Sequence, residues 1–219
     1  MTSTTSSLAA VDFAYWENAW QKDRTGWDLG GATPALVALL RTHTETLFPA
    51  QKGSWRVLVP GCGRGYDLAA FVAAKSGITA LGVDISPTAV RELREVQKLG
   101  DDVAQVVCAD FFGFEADAFD VVFDHTFLCA LHPSLQPVWA AKMASLVARD
   151  GHLVCYMFPL RDPDELGPPY ALSVALYDTL LSAAFEMVLV REVSQNEKPQ
   201  IGYDRDHLGL QMLSVWKRR

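Results

Sequence analysis

The chain has 219 residues, of which 50% are apolar and 21% are charged, a composition typical of a globular protein that buries a sizeable core. Its formal net charge of −7 argues against a protein that holds a nucleic-acid backbone through clustered Lys and Arg, and its 15 glycines and 11 prolines are too few for a disordered chain. No apolar stretch approaches the roughly 18 residues of a membrane span, and the N-terminus lacks a secretory signal pattern. We therefore expect a cytoplasmic protein that binds neither nucleic acid nor membranes.

Cysteine and histidine spacing gives no sign of a metal site. The cysteines are Cys62, Cys108, Cys129 and Cys155, and no two of them form a CxxC pair. The five histidines form no HExxH motif. We predict reduced, buried thiols and no bound metal.

The N-terminal 50 residues are predicted to be helical. Three aromatic side chains recur at the spacing of one helical face: Phe13, Trp16 and Trp20. A loop over 25–31 follows, and then Thr33 and Pro34 are typical of an N-cap and a first helical residue. This second helix is predicted to end near Phe48. We interpret residues 1–50 as a helical lid on one domain that spans 1–219.

From residue 55 onward, short apolar strands alternate with helices. The predicted strands are 56–59, 79–84, 104–108, 119–124, 152–158, 186–193 and 210–216. The predicted helices are 66–75, 87–99, 135–148 and 170–184. Continuous apolar strands that alternate with helices predict an α/β core over 51–219, with a mostly parallel sheet covered by helices on both faces.

A glycine loop joins the first predicted strand to the next helix. Gly61, Gly63 and Gly65 form a GxGxG pattern that allows a tight turn and close approach of a nucleotide. Asp84 ends the next strand, where a carboxylate can accept hydrogen bonds from both ribose hydroxyls. The combination predicts a nucleoside cofactor.

The loop favours S-adenosylmethionine (SAM) over a dinucleotide. Dinucleotide sites place a third glycine where this chain has Tyr66, whereas SAM has no pyrophosphate that would need it. After the third strand, Asp110 and Phe111 could bond the adenine amino group and cover its ring. A nicotinamide-dependent reductase and a non-catalytic SAM-binding protein stay open as alternatives.

Five segments together resemble a known family. They are Trp16-x3-Trp20-x6-Trp27-Asp28-x-Gly30, Leu58 to Asp67 with the glycine loop, Gly82-x-Asp84-Ile85-Ser86, Phe123 to Ala130, and Gly167-Pro168-Pro169-Tyr170. They resemble the thiopurine S-methyltransferase-like SAM-dependent methyltransferases, and most of all the thiol/halide methyltransferase branch described as "harmless to ozone layer". The resemblance covers almost the whole chain from about residue 13.

The resemblance implies a Rossmann-like class I methyltransferase fold, with a seven-stranded sheet whose last strand is antiparallel. It implies cofactor contacts from Trp16, Trp20, Trp27, Gly61, Gly63, Asp84, Ile85, Asp110, Phe111 and Asp124. The tryptophans would help to close the site, Gly61 and Gly63 would lie near the methionine part, and Asp84 would hold the ribose. The closing strand and Arg205 before it also look like the family's.

The implied reaction is transfer of a methyl group from SAM to a small thiol, which leaves S-adenosylhomocysteine (SAH). Four residues are candidates to take or steer a proton: Asp28, Asp124, His125 and Tyr170. His125 stands where plant members have a tyrosine, which leaves the acceptor open. Halide, thiocyanate or hydrosulfide is the alternative acceptor, followed by small oxygen or nitrogen nucleophiles. We expect a monomer or a weak homodimer.

Overall fold

The computed structural model describes residues 13–97, 100, 103–163, 167–198 and 210–219. Arg205 and Leu99, the expected end of the fourth helix, lie outside the described residues. The helices are α1 over residues 13–21, α2 Pro34–Leu47, α3 Tyr66–Ala74, α4 Pro87–Val96, α5 Gln136–Leu146 and α6 Val174–Leu181. The strands are β1 Trp55–Pro60, β2 Ile78–Asp84, β3 Ala104–Cys108, β4 Phe119–His125, β5 Val147–Leu160, β6 Phe185–Glu192 and β7 Leu210–Arg218.

The strands form one seven-stranded sheet in the order β3-β2-β1-β4-β5-β7-β6. Strands β1 to β5 pair in parallel, and β7 runs antiparallel between β5 and β6. The α/β class and the antiparallel last strand are therefore confirmed. The strand order reverses between β1 and β4, and in such sheets ligands bind beyond the carboxyl ends of the strands at this switch point.

Two predicted boundaries differ from the structure for local reasons. Helix α6 begins at Val174 rather than near Tyr170, because two prolines precede Tyr170 and the Ser173 side chain caps the helix by accepting from Leu176 N. Strand β5 begins at Val147 rather than His152, because Val147 already pairs with Phe119 of β4.

Helix α2 begins at Pro34 as predicted, but the Thr33 side chain does not cap it. Its hydroxyl donates to Asp67 of α3 instead, 3.0 Å away. Proline at the first position fixes the helical φ without a cap, which leaves the hydroxyl for a contact across the fold.

Helix α2 belongs to the main core. Ala35 and Leu36 are fully buried, and Phe48 meets Trp55 and Phe71 edge-on at 6.0 and 6.2 Å between ring centroids. Residues 13–31 are different, because they run over the carboxyl ends of the strands. Among the described residues, no helix has both the length and the apolar character needed to cross a membrane.

Candidate active site

A cavity of about 350 Å³ lies beyond the carboxyl ends of β1, β2 and β4. Every predicted cofactor contact except Asp124 lines it: Trp16, Trp20, Trp27, Gly61, Gly63, Asp84, Ile85, Asp110 and Phe111. The structure thus brings together side chains that are separated by almost a hundred positions in the sequence. The three tryptophans cover the cavity, Gly61, Gly63, Asp84 and Ile85 form its floor, and Asp110 and Phe111 lie at its side.

The glycine loop needs glycine for its backbone and for the space around it. Gly61 and Gly63 have φ angles of +60° and +50°, in the left-handed region. A Cβ on Gly61 would lie 2.6 Å from the Phe127 ring, and one on Gly63 would lie 3.4 Å from Trp20. The loop therefore passes close beneath the aromatic side chains of the cavity.

Asp84 is held in place at the floor by two backbone N–H groups. Its Oδ2 accepts from Gly63 N at 3.0 Å, and its Oδ1 accepts from Ser86 N at 2.9 Å. Burial raises the pKa of this carboxyl, while the two hydrogen bonds favour its charged form. The remaining lone pairs of both oxygens can accept from hydroxyl groups of a ligand in the cavity.

Aromatic rings form the side of the cavity next to β3. Phe111 meets Phe127 and Phe112 edge-on, with centroids 5.0 and 5.6 Å apart. Asp110 turns the chain here, since its Oδ1 accepts from Phe112 N at 2.9 Å. Phe127 was not among the predicted contacts. Its one signal in the sequence was its place two residues after a strand that ends at the switch point.

Three tryptophans cover the cavity. Trp27 meets Trp16 and Trp20 edge-on, at 5.0 and 6.0 Å between centroids. We call residues 13–31, which carry these rings, the cap segment. Cation-attracting indole faces are thereby grouped at a site predicted to take a sulfonium ion.

Polar contacts tie the cap segment to the floor. Glu17 of α1 accepts from Ser86 Oγ at 2.6 Å and from Thr88 Oγ1 at 2.7 Å, at the start of α4. Arg64 of the glycine loop pairs with Asp28, and its guanidinium lies 5.1 Å from the Trp20 ring centroid. These contacts join chain segments that are far apart in sequence.

The rest of the cavity wall is mostly apolar. It consists of Tyr15, Thr126, Cys129, Ala130, Leu131, Phe158, Pro168 and Pro169, with Gly26, Val83, Ala109, Phe112 and Phe127. Within the part of the chain that the structure describes, no Lys, Arg or His lines it. Burial, together with the nearby charge of Asp124, raises the pKa of the Cys129 thiol, which keeps it neutral.

Asp124 lies behind the cavity rather than in its wall. The side chain is buried, and it accepts from Trp139 Nε1 at 2.9 Å and from the backbone N–H groups of Phe127 and Leu128 at 3.3 and 3.2 Å. Burial raises the pKa of the Asp124 carboxyl to about 6, although these hydrogen bonds favour its charged form. In this position Asp124 fixes the turn that presents Phe127.

Tyr170 lies beside the apolar wall, next to Pro168 and Pro169. Its N–H donates to the Cys129 carbonyl at 2.7 Å, and its ring meets His132 edge-on with centroids 5.8 Å apart. The cavity wall includes both prolines but not Tyr170 itself.

The other two candidates, Asp28 and His125, line a smaller cavity of about 60 Å³. It shares Trp20, Trp27, Gly61, Gly63 and Thr126 with the large cavity. Asp28 is engaged with Arg64, and His125 Nδ1 lies 3.1 Å from Thr33 Oγ1. No group of three His, Cys, Asp or Glu side chains able to hold a metal occurs among the described residues.

Comparisons with known proteins agree on one family. The family described as Thiopurine S-methyltransferase (TPMT) matches residues 11–214. Probable thiol methyltransferase 2 of Arabidopsis thaliana is 35% identical over 207 residues, which are 93% of this chain and 84% of that protein. Thiocyanate methyltransferase 1 of Brassica oleracea is 35% identical over 186 residues, 83% of this chain and 78% of that one.

Solved structures share the fold at lower identity. The crystal structure of Burkholderia thailandensis 1,6-didemethyltoxoflavin-N1-methyltransferase, with its bound substrate and SAH, superposes with a TM-score of 0.70 at 21% identity. The match covers 96% of this chain and 88% of that one. Magnesium protoporphyrin IX methyltransferase from Synechocystis PCC 6803, with bound SAM, gives a TM-score of 0.67 at 15% identity over 95% and 97% of the two chains.

Proposed function

Since the chain belongs to the thiopurine S-methyltransferase family, we propose that its large cavity binds SAM and that the enzyme methylates a small thiol there. The main support for this proposal is that one cavity is lined by Asp84, the glycine loop and the three tryptophans. A carboxylate suits the ribose hydroxyls of SAM and indole faces suit its sulfonium cation, so the residues present fit the cofactor.

Each part of the cofactor has residues that would hold it. Asp84 would accept from the ribose hydroxyls, Asp110 and Phe111 would contact adenine, and Gly61 and Gly63 would leave room for the methionine part. When bound, SAM supplies a methyl group activated by its sulfonium charge. The tryptophan faces attract such a cation by roughly 0.5–2 kcal/mol and exclude water from it.

The apolar wall supports a thiol or thiolate as the acceptor. Attack of a thiolate on a sulfonium removes two charges, and such a step is favoured where water is excluded. Leu131, Phe158 and Pro168 provide surroundings of this kind. The wall would align a small soft nucleophile with the methyl group, and alignment is the main contribution that the reaction requires.

Thiocyanate is the second candidate acceptor. The relatives from Brassica oleracea and Arabidopsis thaliana that are 35% and 32% identical are both named Thiocyanate methyltransferase 1. An anion in the apolar cavity would need an opposite charge beside it, which the sulfonium of bound SAM would supply, and the same argument extends the proposal to hydrosulfide and halide ions. Oxygen and nitrogen nucleophiles rank last, because they need a firmer base than the described wall of the large cavity offers.

A panel of acceptors with methyl-labelled SAM tests the proposal. We expect label in an alkanethiol, a thiophenol or thiocyanate, with SAH as the second product. SAH binding without transfer to any acceptor would favour a non-catalytic SAM-binding protein. Binding of NAD but not SAH, measured by isothermal titration, would overturn the assignment.

The proposal also includes the partner, the cell compartment and the oligomeric state of the enzyme. The net charge of −7 and the absence of a basic motif in the sequence support a small molecule, and not nucleic acid, as the partner. We place the enzyme in the cytoplasm as a monomer or weak homodimer. Sedimentation of the purified protein would measure the oligomeric state directly.

A further inference from the structure

Three polar side chains from three elements meet beside the smaller cavity. Thr33 is fully buried before α2, Asp67 lies in the first turn of α3, and His125 ends β4. The Thr33 backbone N–H donates to Asp67 Oδ1 at 2.7 Å, and the Thr33 hydroxyl donates to Asp67 Oδ2 at 3.0 Å. The same hydroxyl oxygen lies 3.1 Å from His125 Nδ1.

These contacts determine which nitrogen of His125 carries a proton. A carboxylate only accepts hydrogen bonds, so the single hydroxyl proton of Thr33 points to Asp67. Toward His125 the hydroxyl can then only accept, and Nδ1 must donate. Neutral His125 is therefore protonated on Nδ1, and its Nε2 has a free lone pair.

The rest of the imidazole ring is held by aromatic side chains. It stacks on Phe123 with 18° between the planes, and it meets Tyr156 edge-on at 5.1 Å between centroids. Tyr156 is itself fixed, because its hydroxyl donates to Gln211 Oε1 at 2.5 Å. Among the described residues, only Thr33 and Asp67 make a polar contact with the His125 ring, and both do so at Nδ1. Nε2 therefore stays available at the smaller cavity, whose wall continues into the large one through Gly61 and Thr126.

We propose that Thr33 and Asp67 are positioning residues that hold His125 as the Nδ1–H tautomer, with Nε2 ready to accept the proton of the thiol acceptor. The inference rests on the proposed function. The thiol S–H bond breaks and its proton bonds to Nε2, while the sulfur lone pair forms the new bond to the methyl carbon. The electrons of the old bond from the methyl carbon stay on the donor sulfur.

Asp67 then has a second effect, on the charge that His125 gains. Its Oδ2 lies 3.5 Å from His125 Nδ1, close enough to stabilise an imidazolium. Other ionisable groups lie around the ring, four in the smaller cavity and two on neighbouring strand positions: Asp28, Cys62, Arg64, Tyr66, Asp124 and Tyr156. Among the groups around the ring, Asp67 is the one that contacts Nδ1 through Thr33.

The tautomer itself can be measured without any turnover. Nitrogen-15 NMR of the histidine ring, recorded at the pH where the ring signals no longer change with added base, should show His125 protonated on Nδ1. Thr33→Val removes the hydroxyl at constant shape and should shift the ring toward the Nε2–H form, whereas Thr33→Ser should keep the wild-type spectrum. An Nε2–H tautomer in the wild-type protein would overturn the proposal.

Turnover with two kinds of acceptor tests the role of the proton. An aliphatic thiol must lose a proton near neutral pH, whereas thiocyanate has none to lose. We expect Thr33→Val and Asp67→Asn to lower kcat for the thiol by at least about tenfold and to change kcat for thiocyanate by less than about twofold. Thr33→Ser should keep the thiol rate of the wild type. Equal losses with both acceptors would indicate a merely structural role and reject the proposal.

Asp120→Asn is the matched control. Its carboxylate also accepts from a backbone N–H, that of Arg56, but at the opposite end of β4. It should leave the ratio of thiol to thiocyanate turnover unchanged. If the wild-type enzyme methylates neither acceptor, the proposed function fails, and the NMR spectrum still decides the tautomer.

Discussion

The floor and the cap segment enclose the same cavity but are held in different ways. The floor lies at the ends of buried parallel strands, and backbone groups position its key carboxylate. The cap segment is attached largely through side chains, of which Glu17 and Arg64 make the polar contacts. Phe13 and Tyr15 in its helix stay substantially exposed.

This difference should separate the effect of a substitution on the stability of the fold from its effect on ligand affinity. A change in the floor should disturb folding and binding together, because its groups are also part of the sheet and its turns. A change in the cap segment should weaken ligand binding while the global fold persists. A segment with few buried contacts can detach locally without unfolding of the rest of the protein. Substitutions in the two regions can test that distinction.

The largest effect is expected at the floor, from Gly61→Ala. A Cβ would lie 2.6 Å from the Phe127 ring on a residue with φ of +60°, so both contact and backbone conformation oppose it. We expect SAH affinity to fall by at least about 100-fold and stability to fall by roughly 1–3 kcal/mol. Isothermal titration and thermal unfolding measure the two quantities.

Gly113→Ala is the control for this substitution. A Cβ there would lie 3.8 Å from the Asp110 carbonyl oxygen, an ordinary contact, and the residue does not have a positive φ. It should change both quantities little. A Gly61→Ala protein that binds SAH like the wild type would show that the loop is not a tightly fitted part of the site.

Asp84→Asn should have the next largest effect. The amide would place an NH2 group against the N–H of either Gly63 or Ser86, both of which now donate to the carboxylate. Hydrogen bonds to a charged group contribute about 1.5–3 kcal/mol, so we expect SAH affinity to fall about 10-fold to 100-fold. Unchanged affinity would exclude Asp84 as the ribose contact.

The floor could be predicted from the sequence because its signals are local. Buried parallel strands are continuous apolar runs, and a glycine loop between strand and helix requires special backbone angles. The residue types of Gly61, Gly63 and Asp84 and their positions at strand ends therefore predict a binding site, and all three line the large cavity. The antiparallel direction of the last strand is not local information, and that expectation came from the resemblance to the family; the order of the strands in the sheet was not predicted.

The missed features depend on the directions of side chains. Asp124 and His125 are neighbours on β4, and because side chains alternate along a strand, they point to opposite faces. Asp124 therefore meets Trp139 of α5, and His125 meets Thr33. Phe127 and Cys129 resemble core residues in the sequence, and only the position of the turn after β4 shows that they line the cavity.

A smaller effect is expected in the cap segment, from Glu17→Gln. The NH2 group of glutamine would face one of the two hydroxyl donors, Ser86 or Thr88, and that hydrogen bond would be lost. Loss of one hydrogen bond costs about 1 kcal/mol, so we expect SAH affinity to be about fivefold weaker. The midpoint of thermal unfolding should change by less than a few degrees.

Glu45→Gln controls for the loss of an acidic side chain, since Glu45 is largely exposed and pairs with Lys75 away from the cavity. A Glu17→Gln protein that loses as much stability as Gly61→Ala would contradict the separation between cap segment and floor.

The smallest effect concerns pH, because the acids of the two regions shift in opposite directions. Burial raises the pKa of Asp84. Burial also opposes the charge of Glu17, but hydrogen bonds from Ser86 and Thr88 outweigh it and lower the pKa of Glu17. Acid therefore acts on the two regions in opposite senses. The raised pKa of Asp84 brings loss of the proposed ribose contact at a higher pH than for an ordinary aspartate, whereas the lowered pKa of Glu17 preserves its contacts to a lower pH than for an ordinary glutamate.

Apart from a step near pH 6 that belongs to the buried Asp124, we expect SAH affinity to decline as the pH falls toward the ordinary range of an aspartate, and this decline should belong to Asp84, whose pKa is raised. Asp84→Asn should remove most of it. Glu17→Gln should keep it and move it slightly to lower pH, because the negative charge of Glu17 helps to raise the pKa of Asp84. Titrations of SAH binding across this range measure the three profiles, and a decline that vanishes in Glu17→Gln would assign the acid sensitivity to the cap segment instead.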